Sequence, residues 1–120
     1  MRIVFNQIHD ENIAEVISDN VVIKKTQDAL DLMADCSYQG SNKLILLQEH
    51  FVSDFFDLKT GIAGEILQKF STYNVRLAIV GDFSKYPGKS LRDFIFESNK
   101  HGRINFVGSI DEAREKLSRK

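Results

Sequence analysis

Lys43-Leu44-Ile45-Leu46-Leu47-Gln48 decides the fold. Four consecutive apolar residues are too few for a helix and too continuous for a strand with one wet face. They read as a strand covered on both faces, as parallel strands usually are. Downstream, Val75 to Val80 repeats the pattern, and Ile104-Asn105-Phe106-Val107 supplies a last strand. Between the first two, Ile62, Ala63, Ile66, Leu67 and Phe70 recur at helical spacing with Glu65, Gln68 and Lys69 outside the stripe. A polar loop from Gly81 to Lys89 then leads to a helix carrying Leu91, Phe94, Ile95 and Ser98, which Asn99 to Gly102 ends. Ser109 and Glu112 have capping-box spacing ahead of a terminal helix with Ala113 and Leu117 inward.

Upstream, Thr26 is expected to cap a helix whose Ala29, Leu30, Met33 and Ala34 share a face, widened by Leu32 and Cys36 and ended at Gly40-Ser41. Ile3, Phe5 and Ile8 alternate with polar residues as a half-buried strand does. The turn chemistry of His9 to Asn12 then precedes a second strand, Ile13 to Ile17. After Ser18-Asp19-Asn20, Val21-Val22-Ile23 reads as a third extended piece, and Asp54 to Leu58 as a turn or short helical entry. The expected class is α/β. A β-rich, antiparallel start is followed by α-β-α-β-α-β-α, giving a mixed sheet with a parallel part flanked by helices. No repeat or linker interrupts the chain, so residues 1–120 are read as one domain.

The chain has 120 residues, with 16 basic and 17 acidic side chains and a net charge of −1. A domain of this length can bury about two-thirds of its unfolded surface without disulfide or metal support. The charge balance gives no general attraction to nucleic acid or an anionic membrane. Lys24-Lys25 and Arg114, Lys116, Arg119, Lys120 are short basic clusters with no aromatic stacking series beside them. No apolar run reaches the roughly 20 residues of a membrane span. The first residues do not form the apolar core of a signal peptide, so the expected location is cytoplasmic.

The stretches Asp54-Phe-Phe-Asp-Leu-Lys-Thr-Gly-Ile-Ala-Gly-Glu-Ile-Leu-Gln-Lys-Phe70, Leu77-Ala-Ile-Val-Gly-Asp-Phe-Ser-Lys85 and Ser90-Leu-Arg-Asp-Phe-Ile-Phe-Glu-Ser-Asn99 resemble an uncharacterised bacterial family, DUF4180. So does Thr26-Gln-Asp-Ala-Leu-Asp-Leu-Met33. The resemblance covers nearly the whole chain and implies one domain without supplying a mechanism. A looser similarity is to STAS domains, the fold of anti-sigma-factor antagonists. There a buried strand leads into Asp-Ser-Ser-Gly, and the second serine, at a helix N-terminus, is a phosphorylation switch. Here the comparable place reads Asp57-Leu58-Lys59-Thr60-Gly61, with the aspartate one residue further away and Lys59 in place of the first serine. This similarity implies a regulatory anion or phosphorylation position at Lys59, Thr60 and Gly61.

The same position has an independent physical reading, because a hydroxyl at a helix start caps free amides and those amides favour a phosphate. Its plainer alternative is an ordinary cap. Glu49 and His50 follow one parallel strand, Asp82 the next and Ser109 the last. Ligands of open α/β sheets bind at that edge, so these four residues mark a candidate ligand edge. Gly88-Lys89-Ser90 lacks the partner glycine of a phosphate-binding loop, since Phe83 stands where it is needed and Gly81 lies two residues too early. The reading left for it is a helix start capped by Ser90. His9, His50 and His101 are too scattered for metal spacing, and Cys36 has no cysteine partner and reads as a small buried hydrophobe. No catalytic residue, cofactor or metal is implied. Phe51, Phe55 and Phe56, in a loop with several aspartates, either pack under the end of the sheet or, if that loop is exposed, leave an apolar patch for a partner protein or a second copy. The function that follows is a non-enzymatic regulatory or protein-interaction module. Its alternative is a small-molecule binder or small enzyme working at the strand ends.

Overall fold

Two antiparallel strands open the chain in the computed structural model, which describes residues 1–119. β1 (Arg2–Ile8) pairs with β2 (Glu11–Ile17) in seven consecutive matches from Arg2↔Ile17 to Ile8↔Glu11. The hairpin is tighter than the sequence suggests, because His9 (φ 51°) and Asp10 (φ 67°) both take the left-handed conformation. A two-residue turn of that kind matches the twist of the strands it joins, which frees Glu11 and Asn12 to extend β2.

The remaining order is α1 (Thr26–Tyr38), β3 (Lys43–Leu47), α2 (Ile62–Thr72), β4 (Arg76–Val80), α3 (Lys89–His101), β5 (Ile104–Val107) and α4 (Ile110–Ser118). The five strands lie in the order β1-β2-β3-β4-β5, and every pair after the hairpin is parallel. The expected strands at Leu44–Leu47, Leu77–Val80 and Ile104–Val107 are thus parallel neighbours in one sheet. Residues 21–23 do not add a strand. Ile23 makes a single parallel bridge to Phe51, with Val22 and Ile23 donating to the His50 carbonyl.

Sequential parallel order places the three crossover helices on one face, and the two cores show the result. Leu44, Leu46, Leu77, Ile79, Ile104 and Phe106 face α1, α2 and α3. Ile13, Ile45, Ala78 and Val107 face α4 through Ala113 and Leu117. A strand buried on both faces has no polar side to show, which is why residues 44–47 carry no alternation.

Two helix starts differ from expectation. The residue before α1 is Lys25, not Thr26. Asp28 accepts from the amides of Lys24 (2.9 Å) and Lys25 (3.2 Å), and the Thr26 hydroxyl donates to Glu65 of α2 at 2.7 Å. α3 begins at Lys89 after Gly88 and has no side-chain cap, so Ser90 sits inside the first turn. α4 follows expectation: Ser109 Oγ accepts from the Glu112 amide and Glu112 Oε1 from the Gly108 amide. α4 is held down at its other end by Arg76, whose guanidinium donates to the carbonyls of Gly102, Lys116 and Arg119. Burial lowers the pKa of that guanidinium. The nearly buried carboxylate of Glu15, on β2, accepts two hydrogen bonds from Arg114, at 2.5 and 3.1 Å.

Candidate functional site

The carboxyl edge of the parallel strands is filled by aromatic rings. After β3 the chain makes three short 3-10 turns, Gln48–His50, Ser53–Phe56 and Leu58–Thr60. Their irregular path turns Phe51, Phe55 and Phe56 inward together, leaving them 3%, 1% and 6% exposed. Phe55 lies 4.4 Å from the Phe51 ring and 5.0 Å from the Phe56 ring. Phe56 stacks on Tyr86 at 5.2 Å and contacts Phe83, which meets Phe106 edge-on. The expected exposed patch at Phe51, Phe55 and Phe56 is therefore corrected. Rings of this size gain most by burial, and edge-to-face pairing gives them a geometry for it.

The four residues of the candidate ligand edge are each engaged locally. His50 is 1% exposed, and its Nδ1 accepts from the Leu47 amide at 2.9 Å. The proton therefore sits on Nε2, which donates to the Ser18 carbonyl at 3.0 Å. His50 ties β3 to the segment after β2 and is a buried structural group, which corrects its place at an accessible edge. Asp82 is exposed and accepts from the hydroxyl (2.5 Å) and amide (3.1 Å) of Ser84, which hold its carboxyl below the usual carboxylate range. Ser109 caps α4. Glu49 is exposed on the first 3-10 turn. Among the described residues no hydrogen bond joins Glu49, Asp82 and Ser109 to one another, and no three His, Cys, Asp or Glu residues gather as a metal site.

Two residues to which the sequence reading gave no role at this edge organise it. Gln48, buried directly after β3, donates through Nε2 to the Tyr86 hydroxyl at 2.6 Å and accepts from the Asp82 amide at 3.1 Å. Gly81 is required beside it, because a Cβ there would lie 2.7 Å from the Gln48 Cβ. A polar residue directly ending an apolar strand run was the available signal.

Thr60 is exposed at the end of the last 3-10 turn, and Gly61 (φ 76°) turns the chain into α2. The Thr60 hydroxyl accepts from the Ile62 amide at 3.2 Å and lies 2.8 and 2.9 Å from the carbonyls of Asp57 and Asp54. Beside this segment runs a groove of about 560 Å³ between Phe56–Lys59 and Tyr86–Leu91, with Lys59 and Lys89 on its walls. Lys89 also pairs with Asp93 at 2.7 Å.

Cys36 is fully buried on α1. Burial, helped by Asp35, pushes its thiol up to about 11. A thiol reagent at pH 8 is expected to leave the native protein unmodified and to label it once urea is added, because the thiolate is the reactive species. Rapid labelling of the folded protein would refute this. In the C-terminal basic cluster Arg114 bonds Glu15 and Arg119 bonds Glu115, while Lys120 lies outside the described residues. No helix among the described residues is long and apolar enough to cross a membrane.

No curated protein and no solved structure gives a match to this chain. A family match exists, and it spans both sheet faces, the aromatic edge and the Thr60 segment. Residues 8–117 match the domain of unknown function DUF4180, and the chain belongs to that family.

Proposed function

We propose that this domain is a non-enzymatic regulatory module that binds another protein, with the Asp54–Thr60 segment as its switch. The observation that carries the reading is the placement of Thr60. The connection leaves a parallel strand, β3, and delivers an exposed hydroxyl to the start of α2. STAS domains hold their switch serine at such a position, and the similarity around Asp57-Leu58-Lys59-Thr60-Gly61 is aligned with it. The aromatic filling of the strand ends supports the same reading, since it occupies the crevice where open α/β sheets usually take ligands.

The hydroxyl is also suited mechanically. Its hydrogen bond to the Asp54 or Asp57 carbonyl closes the last 3-10 turn. A phosphate would remove that donor and add about −1.5 to −2 charges beside the carboxylates of Asp54 and Asp57. Lys59 offsets part of that repulsion. The turn opens, while Phe55 and Phe56, held by other rings, stay in the core. The modification changes the surface more than the fold.

Thr60→Glu is therefore expected to change recovery of at least one partner from extracts of the source cells by about tenfold, equivalent to ~1.4 kcal/mol. Thr60→Ser should behave as the parent does. Quantitative mass spectrometry of captured proteins, with thermal unfolding as a check on the fold, measures both. Identical partner sets for the parent and Thr60→Glu would remove Thr60 from the proposal.

A second reading rests on the groove between Phe56–Lys59 and Tyr86–Leu91, where two ammonium groups flank the uncapped start of α3. Such a groove suits a small anion. Amide shifts of Lys89 to Leu91 under titration with inorganic phosphate separate it from the first reading.

A further inference from the structure

We infer that the outer edge of β1 pairs with β1 of a second copy, joining two five-stranded sheets into one continuous sheet across a two-fold axis. The two edges of the sheet are treated differently. β5 is four residues long and is packed by α3 on one face and α4 on the other. β1 is seven residues long, follows β2 without a bulge, contains no proline, and has Arg2 as its one charge. Among the described residues no backbone hydrogen bond outside the hairpin ladder reaches residues 1–8. Sheet edges that remain single are commonly protected by charge, proline, bulges or a covering element, and β1 has little of this.

The hairpin determines which groups face outward. A two-residue turn makes Ile8↔Glu11 a hydrogen-bonded pair, and antiparallel pairs alternate from there. Asn6, Val4 and Arg2 therefore bond inward to β2. Gln7, Phe5 and Ile3 point their amides and carbonyls away from it. Two antiparallel copies of β1 can bond through these groups when the dyad passes through Val4. Ile3 of each copy then forms a hydrogen-bonded pair with Phe5 of the other, and Val4 meets Val4 as a non-hydrogen-bonded pair.

Side-chain chemistry selects that register. Ile3 and Phe5 are half-buried on the face carrying α1, so their pairing places apolar against apolar where both are incompletely covered. Val4 meets its own copy on the opposite face. Arg2 stands across from Asn6, so the one charge of the strand does not meet itself. A groove of about 330 Å³ lined by Met1, Ile3, Phe5, Asp35 and Tyr38 lies along the same edge. Met1 is 70% and Tyr38 89% exposed there. A second copy laid along this edge covers the apolar groups among them, Met1, Ile3 and Phe5. This register is self-complementary in hydrogen bonding, apolarity and charge, which favours a second copy over an unrelated strand.

The experiment uses the full chain. Sedimentation equilibrium is expected to show a monomer–dimer equilibrium that Val4→Lys weakens at least about tenfold, since two ammonium groups would then face each other across the dyad. In a Cys36→Ser background, Val4→Cys is expected to form a disulfide-linked dimer on mild oxidation, because non-hydrogen-bonded partners lie about 4.5 Å apart at Cα, within disulfide reach. Ile8→Cys should not, as the two copies of Ile8 stand roughly 27 Å apart in this register. A chain that remains monomeric at high concentration overturns the proposal. So does a dimer that resists Val4→Lys and gives no Val4→Cys cross-link. If Val4→Lys unfolds the protein, the contrast between Val4→Cys and Ile8→Cys decides alone.

Discussion

Phe55→Ala is expected to destabilise the protein by about 3–5 kcal/mol, the range for removing a buried aromatic side chain. Phe55 is 1% exposed and lies against the rings of both Phe51 and Phe56. Its loss removes the transfer free energy of the ring and leaves a cavity that neighbours held by other rings can fill only in part. The expected loss is a large share of the ~5–15 kcal/mol that stabilises most domains. Urea denaturation measures it directly. Phe96→Ala supplies the contrast, because Phe96 is 63% exposed on α3 and its removal should stay within about 0.5 kcal/mol. Equal effects at the two positions would show that the 51–56 segment is not packed as described.

His50→Ala is expected to cost about 2–4 kcal/mol, combining a lost buried ring with two unpaired backbone groups. The Leu47 amide loses its acceptor and the Ser18 carbonyl loses its donor. His50→Asn should recover part of the loss, because an asparagine oxygen falls near the position of Nδ1 and can still accept from Leu47. His50→Gln should recover the other part by reaching toward Ser18. Denaturation midpoints of the three variants test the assignment. If all three match the parent, His50 does not hold these two segments together.

The strand run at residues 43–48 determined most of the architecture by itself. A segment with apolar residues on both faces needs cover on both faces, and the helical stripes on either side of it supply a crossover. Repeating that unit to β4 and β5 leaves a parallel sheet as the economical arrangement. The capping box at Ser109 and Glu112 was equally legible, because it is local: both partners lie within one helical turn. Thr26 misled for the opposite reason. A hydroxyl before an apolar stripe has the right chemistry for a cap, but Asp28 reaches back to the amides of Lys24 and Lys25 and leaves Thr26 to bond α2.

The candidate site depended far more on tertiary structure. Phe51, Phe55 and Phe56 follow no helical or strand period, so the sequence could not assign them a face. Three successive 3-10 turns decide that all are buried. His50 stands one residue from an exposed Glu49, yet its ring is drawn inward by a carbonyl 32 positions earlier in the chain. Glu15 meets Arg114 across 99 positions, through the packing of α4 on β2. Local hydrogen bonding and hydrophobic period act within a turn or a strand and can be read along the chain. The partner of a buried polar group, and the direction an irregular loop turns its rings, depend on which distant surfaces the sheet brings together.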